Sequence, residues 1–373
     1  MESQGVGPLQ LLQEAAHAFR LSGAITRIEE HVAGLIHDTF IVHTSVSNRP
    51  RRYILQRINQ EVFSKPSVLM ENIEAVIRHV QRKAADEGRS PERAIPSLIY
   101  TSTGQAWLHI ADTAWRMMEF VEGTTTIELA TDANQAREIG LVFGRFLEDL
   151  ADFPTQELQI ALPGYRDTAR YLNVLWDAVD TDIVNRAQSA REEIAFAERN
   201  MSQAMRLQEL QRTGLIPVRA IHGDTKINNV LVDCRSGVGV CAIDLDTVMP
   251  GLRLHDIGNC VAEVMVGNSA PQDSLAGDEL DVFEALIEGF TLCRSRPLTV
   301  LECESLIDAV RSLTLELGVR FLADYVAGDT YFKTTFAEEN RVRARRHFEL
   351  ARRLELNRGV LQSRVQCLGE RSH

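Results

Sequence analysis

Cysteine pairs, long apolar runs and an excess of positive charge are all missing from this sequence of 373 residues. Its six cysteines lie in the second half of the chain and form no C-x-x-C pair. A disulfide framework or a zinc site is therefore not expected, and reduced thiols suit a cytoplasmic protein. No apolar run is long enough to span a bilayer, and residues 1–21 contain no signal-peptide core. We expect a cytoplasmic protein with no membrane partner.

Positive charge is scarce, since 40 lysines and arginines face 52 acidic residues and leave a formal net charge of −12. Nucleic acids and anionic membranes require a basic surface, so no nucleic-acid partner is expected. A nucleotide needs only a few local cations and stays possible. The sequence also lacks the G-x-x-x-x-G-K-[ST] and G-x-G-x-x-G patterns, so it does not support a Walker-type site or a Rossmann fingerprint.

The apolar periodicity changes near residue 118. Upstream, it predicts a helix at 67–83 and strands at 24–32, 39–44, 52–58, 97–101, 106–110 and 114–121. Downstream, the period is mainly helical and is interrupted by a short β patch between residues 220 and 244. The sequence thus predicts an α+β fold: an antiparallel-sheet N-terminal lobe (1–118), a hinge (119–125) and a mainly helical C-terminal lobe (126–373). A ligand is expected in the cleft between two such lobes.

The most specific pattern lies between residues 221 and 246. An apolar-His-Gly-Asp sequence ends at Asp224, Asn229 follows five residues later, and Ile-Asp-x-Asp supplies Asp244 and Asp246. A carboxylate on a loop can accept a hydrogen bond from a hydroxyl and take its proton. Amide and carboxylate oxygens suit magnesium on phosphates. The pattern predicts phosphoryl transfer, with Asp224 and Asn229 in the catalytic loop and Asn229 and Asp244 on the metal. Asp246 ligates the metal or holds the loop.

Residues 222–224, Asn229, Asp244 and residues 255–259 resemble the aminoglycoside phosphotransferase and choline kinase superfamily, which has a protein-kinase-like fold. Within it, residues 53–59, 243–251 and 320–325 look most similar to the N-acetylhexosamine 1-kinases. The resemblance implies an enzyme that uses ATP and Mg²⁺, with Asp224 as the base and Asn229 and Asp244 as magnesium ligands. It also implies that Asp256 supports the catalytic loop from a buried position. We interpret His222 as structural.

The resemblance implies further that the first lobe covers the nucleotide. The expected contacts are Gly34, His37, Thr39, Gln56, Glu71, and the backbones of Glu119 and Val121. Kinase-like enzymes hold the α- and β-phosphates with a lysine on the third strand, paired with a helix glutamate. Here Gln56 stands at that position, and an amide does not neutralise a phosphate. Lys226 and Arg52 are the alternative cations, and Glu71 and Glu74 are the candidate helix partners.

The acceptor pocket is expected in the helical lobe around Asp224, with Arg166, Arg320, Asp324 and Tyr331 as candidate contacts. Arg320 and Asp324 are four residues apart and share a helix face, so a surface ion pair is the alternative. The expected partner is a small molecule with a hydroxyl group, first of all the anomeric hydroxyl of an N-acetylhexosamine. A choline, ethanolamine or homoserine kinase and an aminoglycoside phosphotransferase stay open. A nucleotide-binding pseudokinase, favoured by Gln56, is the alternative from another class. A monomer and a homodimer are both possible.

Overall fold

The computed structural model describes residues 8–31, 36–267, 273–291 and 297–371. Contacts divide the chain into two compact units. The first unit comprises Met1–Thr124, Gln156–Leu162 and Ile243–Val248, and the second comprises Thr125–Thr155, Pro163–Ala242 and Met249–His373. Gly34, predicted to contact the nucleotide, lies outside the described residues.

The elements of the first unit are mainly strands. They are α1 (Pro8–His17), β1 (Ala24–Glu30), β2 (Asp38–Val46), β3 (Arg49–Ile58), α2 (Pro66–Asp86), α3 (Pro91–Ala94), β4 (Leu108–Ile110) and β5 (Thr113–Glu119). A short strand, β6 (Thr124–Thr126), spans the boundary between the units.

The elements of the second unit are mainly helices. They are α4 (Ala133–Asp149), α5 (Thr168–Thr181), α6 (Arg191–Arg199), α7 (Met201–Ala204), α8 (Arg206–Thr213), β7 (Arg219–Ile221), β8 (Val230–Asp233), β9 (Gly239–Ala242), β10 (Met249–Gly251), α9 (Arg253–Gly267), α10 (Gly277–Thr291), α11 (Val300–Ala327), α12 (Glu339–Leu356) and α13 (Arg358–Arg371).

The first unit is built on an antiparallel sheet in the order β1-β2-β3-β5-β4. Ser47 and Asn48, both with positive φ, form the two-residue turn between β2 and β3, a conformation that matches the twist of a hairpin. One face of the sheet packs its large apolar side chains against α1. These side chains are Val42, Tyr53, Leu55, Trp115 and Met117. The predicted antiparallel N-terminal sheet is therefore confirmed.

The predicted strand at 97–101 is wrong. In this segment only Leu98 and Thr101 form isolated bridges, with Met118 and Phe19 respectively. Pro96 precedes the segment and has no N–H to donate, so a continuous ladder does not begin there.

The opposite face of the sheet carries a polar row. Pairing sets Thr39 of β2 opposite Gln56 of β3, and Gln56 opposite Arg116 of β5. Because side chains alternate along a strand, these three residues lie on the face away from α1.

The second unit is organised around the 28-residue helix α11, which is buried along most of its length. The hydroxyl of Thr299 and the carboxylate of Glu302 form a capping box at its start, and Gly328, with a φ of 102°, ends it. Helices α4 and α10 pack so closely that a Cβ on Gly140 would lie 2.3 Å from the Leu286 carbonyl oxygen. Within the described ranges, no helix combines the length and apolar character that crossing a membrane requires.

Candidate functional site

A carboxylate in α9 fixes the loop that follows β7. Asp256 is fully buried, and its two oxygens accept the backbone N–H groups of His222 at 2.7 Å and Gly223 at 2.8 Å. The Thr225 hydroxyl donates to the Asp256 carbonyl oxygen at 2.6 Å. Gly223 has a φ of 83°, a conformation that a residue without a Cβ adopts at little cost. These bonds favour the supporting role that the sequence predicted for Asp256.

His222 is buried among aromatic side chains. The rings of Phe143 and Phe146 meet its imidazole edge to face at centroid distances of 5.4 and 5.3 Å. Its Nδ1 accepts the backbone N–H of Asp224 at 3.3 Å, so this nitrogen carries no proton. These contacts favour the structural role inferred from the sequence.

Asp224 presents a charged carboxylate beside a lysine. The Lys226 ammonium donates to its Oδ2 at 2.9 Å. Burial works to raise the pKa of Asp224, but Lys226, with Arg166, outweighs it and holds this pKa below its ordinary value. Asp224 is therefore ionised at neutral pH, as a proton acceptor must be.

Asn229 closes the same loop from the end of the 3₁₀ turn Ile227–Asn229. Its Nδ2 group donates to the Asp224 carbonyl oxygen at 2.9 Å. That bond fixes the orientation of the amide and leaves Oδ1 as the acceptor oxygen of the side chain.

Arg166 holds the loop that contains Asp224 by bonding to the main chain of Gly223. The guanidinium donates to the Gly223 carbonyl oxygen at 2.7 Å, to Asn259 Oδ1 at 2.8 Å and to Glu316 Oε1 at 3.2 Å. The Tyr165 hydroxyl donates to the same carbonyl oxygen at 3.0 Å. The sequence named Arg166 as an acceptor contact, but its bonds support the residue before Asp224. The sequence did not indicate Tyr165 or Glu316 for this role.

Arg320 differs from Arg166 because its guanidinium stacks on aromatic rings. It lies over Tyr171 and Phe332, at 4.8 and 5.6 Å from the ring centroids, and forms no ion pair within the described part of the chain. Glu263, which the sequence did not indicate, interacts electrostatically with both Asp224 and Arg320. Burial, with a smaller contribution from Asp224, raises the pKa of Glu263.

The Asp324 carboxylate accepts hydrogen bonds from nearby groups of the protein itself. It accepts the backbone N–H groups of Thr330 at 2.9 Å, Tyr331 at 2.8 Å and Phe332 at 2.9 Å, and the Asn340 side-chain amide at 2.9 Å. The structure thus favours a turn-holding role over the acceptor contact that the sequence suggested. Tyr331 itself is 63% exposed.

The polar row of the first unit is continuous. Gln56 Nε2 donates to Thr39 Oγ1 at 3.2 Å, and Arg116 Nε donates to Gln56 Oε1 at 2.9 Å. The two terminal nitrogens of Arg116 each donate to one oxygen of Asp246, and His37 Nε2 contacts the same carboxylate. Burial works to raise the pKa of Asp246, but Arg116 and His37 hold it well below its ordinary value. The structure favours the loop-holding alternative for Asp246 over metal ligation.

The other residues expected at the phosphates have different partners. The Glu71 carboxylate accepts the Gln159 amide at 2.7 Å, and Glu74 accepts the Tyr100 hydroxyl at 2.9 Å. Arg52 forms an ion pair with Glu122. Gln56 is therefore joined to Arg116, and not to one of the predicted helix glutamates.

The predicted adenine contacts lie just after β5. The Glu119 backbone N–H donates to the Ser97 carbonyl oxygen at 2.8 Å, so this donor is already used. The Val121 carbonyl oxygen accepts the Thr124 hydroxyl at 2.7 Å. An adenine contact by either backbone stays a prediction.

The donors predicted for magnesium are of the appropriate chemical type. Asp244 is exposed, has a φ of 63° and precedes the 3₁₀ turn Leu245–Thr247. Among the described residues, no group of three or more histidine, cysteine or carboxylate side chains is arranged to hold a metal ion. Magnesium in kinases is held by one or two protein oxygens together with substrate phosphates, so the side-chain oxygens of Asn229 and of Asp244 are each of a type that suits it. Their role as ligands stays a prediction.

Comparisons with known proteins agree with this architecture. The phosphotransferase enzyme family (APH) matches residues 27–289. An aminoglycoside phosphotransferase from Alicyclobacillus acidocaldarius is 15% identical, with 95% of this chain and 96% of that chain covered and a TM-score of 0.59. An amicoumacin kinase solved with AMP-PNP and Ca²⁺ is 13% identical, with coverages of 92% and 93% and a TM-score of 0.60. A choline kinase from Cryptosporidium parvum is 14% identical, with coverages of 90% and 91% and a TM-score of 0.54. These similarities confirm the predicted protein-kinase-like fold.

Proposed function

This chain belongs to the phosphotransferase enzyme family, and we propose that it transfers the γ-phosphate of ATP to an acceptor hydroxyl with Asp224 as the base. The observation that supports this role is the ionised Asp224 carboxylate on a loop that Asp256 and Arg166 hold by the main chain. Lys226 bonds to Oδ2. Oδ1 is then the oxygen that receives the acceptor hydroxyl.

The reaction requires one proton transfer and one displacement. The acceptor hydroxyl oxygen attacks the γ-phosphorus, its proton passes to Asp224, and the bond to the ADP leaving oxygen breaks. Magnesium, when bound, neutralises charge on the phosphates, and Asn229 and Asp244 are its proposed protein ligands. Arg166 and Tyr165 keep Gly223, and therefore Asp224, in position during the transfer.

The acceptor that we propose first is an N-acetylhexosamine, phosphorylated at its anomeric hydroxyl. The resemblance in residues 243–251 and 320–325 supports it, as does Arg320, whose guanidinium can donate to an amide carbonyl. An anomeric hydroxyl is more acidic than an ordinary alcohol, which suits a carboxylate base.

An amino-alcohol or an aminoglycoside is the second candidate, and Glu263 is the observation that favours it. A carboxylate that interacts electrostatically with Asp224 can pair with the cationic nitrogen of such an acceptor. Choline kinase and aminoglycoside phosphotransferase are also among the solved structures with this fold.

A panel of acceptors distinguishes these proposals. The protein is incubated with ATP, Mg²⁺ and N-acetylhexosamines, amino-alcohols or aminoglycosides, and the products are followed by phosphorus NMR. An acid-labile sugar phosphate supports the first candidate, and an acid-stable phosphate monoester on an amino-alcohol or aminoglycoside supports the second. ATP binding without turnover of any acceptor would indicate a pseudokinase.

Asp224→Asn tests the base directly. We expect kcat to fall by about 10²–10⁴-fold with little change in ATP affinity, because the amide cannot take a proton. Asp86→Asn, at an exposed position in α2, is the matched control and should leave kcat unchanged. Full activity of a folded Asp224→Asn variant would contradict the assignment.

A further inference from the structure

A buried cation lies beside the residue that replaces the expected lysine. Arg116 of β5 is paired in register with Gln56 of β3 and is only 2% exposed. Its Nε donates to the Gln56 side-chain oxygen at 2.9 Å. This bond forces the Gln56 amide to turn its nitrogen towards Thr39. The neutral side chain at position 56 is therefore matched to a cation one strand away.

The same guanidinium holds the segment Ile243–Val248. Both terminal nitrogens of Arg116 donate to Asp246, one of them at 3.0 Å, in the bidentate geometry that a guanidinium forms with a carboxylate. Burial disfavours the charge, but Asp246, and then Asp244, outweigh it and raise the pKa of Arg116. Arg116 thus carries a positive charge that is bonded to Asp246 and interacts electrostatically with Asp244.

His37 is the second side chain that binds the Asp246 carboxylate. Its Nδ1 accepts the Asn59 backbone N–H at 3.0 Å, so the ring proton is on Nε2, which donates to Asp246. With a guanidinium and an imidazole N–H on its two oxygens, Asp246 needs no metal ion to be satisfied. The carboxylate two residues earlier, Asp244, is exposed at the start of the turn that Asp246 anchors.

The neighbouring cations of the sheet are engaged elsewhere. Arg52 forms an ion pair with Glu122, and Arg57 forms one with Asp38. A lysine at position 56 would stand opposite Arg116 and compete with it for Asp246. Glutamine avoids this repulsion and accepts a hydrogen bond from Arg116 instead.

We propose that Arg116 replaces the third-strand lysine as a positioning residue that fixes Asp246 and thereby presents Asp244 to the magnesium–nucleotide complex. This inference rests on the proposed function of Asp244 as a magnesium ligand. The positive charge has moved from β3 to β5, and Gln56 is the neutral neighbour that the move requires.

A charge exchange tests the proposal. Arg116→Met should raise the Mg²⁺ concentration needed for half-maximal activity by about tenfold or more, as loss of groups that orient a metal ligand does. The acceptor KM should change by less than about twofold, since Arg116 is not proposed to touch the acceptor. The double variant Gln56→Lys/Arg116→Met should recover a large part of the loss, because the introduced ammonium can reach the vacated partner Asp246.

Arg353→Met is the matched control. It breaks another buried arginine pair, that with Glu279 in the second unit, and should lower the melting temperature without changing the Mg²⁺ requirement. An Arg116→Met variant with an unchanged Mg²⁺ requirement would overturn the proposal. A loss that the double variant does not reduce would overturn it as well. If Arg116→Met does not fold, Arg116→Lys replaces it, and the same rise, smaller in size, is expected.

The test remains informative if the enzyme phosphorylates none of the acceptors tried. The Mg²⁺ dependence of AMP-PNP binding is then measured by calorimetry for the same variants. Absence of turnover would contradict the proposed function, whereas an unchanged Mg²⁺ dependence of binding would contradict the role of Arg116.

Discussion

The two units each contain a buried arginine that stabilises a loop, but by different means. In the second unit, Arg166 donates to the carbonyl oxygen of Gly223 and so holds main chain. In the first unit, Arg116 donates to the carboxylate of Asp246 and so holds a side chain. A main-chain contact fixes the position of Asp224 through a backbone carbonyl oxygen and needs no side-chain acceptor at position 223. A side-chain contact depends on the identity of residue 246. The cation that makes this contact can, however, come from position 116 of β5 or from position 56 of β3.

Loss of Arg166 should have a larger effect than loss of Arg116. Arg166→Met leaves Glu316 as a buried carboxylate without its cation, which costs about 3–5 kcal/mol in the free energy of unfolding. A shift of the Gly223 carbonyl displaces Asp224, and we expect kcat to fall by about 10²-fold. Urea unfolding and steady-state kinetics measure the two effects. A folded variant with normal kcat would show that the main-chain contact does not position the base.

Tyr165→Phe sharpens the same comparison. It removes the second donor to the Gly223 carbonyl oxygen but leaves the Arg166–Glu316 pair intact. Its effect on kcat should therefore be smaller than that of Arg166→Met. An equal loss would mean that the hydroxyl, and not the guanidinium, fixes the loop.

Acid should destabilise the second unit through two buried histidines. Burial, with a smaller contribution from Arg166, lowers the pKa of His255 to about 3, and burial lowers that of His347 to about 4. The unfolded chain takes up these protons near pH 6.5, whereas the folded protein does not. The stability is therefore complete above about pH 6.5 and is lost as the pH falls towards these values, by up to about 1.4 kcal/mol per pH unit for each histidine.

His255→Asn tests this dependence. Asparagine can still accept the Leu252 N–H that His255 Nδ1 accepts at 3.0 Å, but it does not titrate. The variant should lose less stability than the natural protein between pH 7 and pH 5 in urea unfolding. Parallel pH profiles for the two proteins would contradict the assignment to His255.

Local spacing in the sequence predicted the catalytic loop. The polar row of the first unit could not be predicted in this way, because it depends on the pairing of strands that are distant in sequence. Asp224 and Asn229 are close in sequence, and alternation of apolar residues located most of the sheet. Arg116 is 130 residues from Asp246, and His37 is 209 residues from it. In the sequence, Arg116 looks like an isolated polar residue in an apolar strand. Only the pairing of β3 with β5 brings it beside Gln56.

Asp324 is a residue whose helix position was predicted from the sequence but whose hydrogen-bond partners were not. Helical spacing correctly put it on α11 four residues after Arg320, and this pairing suggested an acceptor contact. The chain reverses after Gly328, so the backbone N–H groups of residues 330–332 reach the Asp324 carboxylate. A reversal of this kind depends on the φ of 102° at Gly328, which helix periodicity does not encode.

The smallest expected effect is that of Arg320→Met, which separates an acceptor contact from a loop-holding contact. Arg320 stacks on Tyr171 and Phe332 and lacks the main-chain contact that Arg166 makes with Gly223. We therefore expect the acceptor KM to rise by about tenfold, with kcat and stability nearly unchanged. Arg346→Met, at an exposed position in α12, is the control and should leave the acceptor KM unchanged. A fall in kcat at constant KM would instead assign Arg320 to the loop-holding group with Arg166, because an arginine that positions Asp224 affects the transfer step and not acceptor binding.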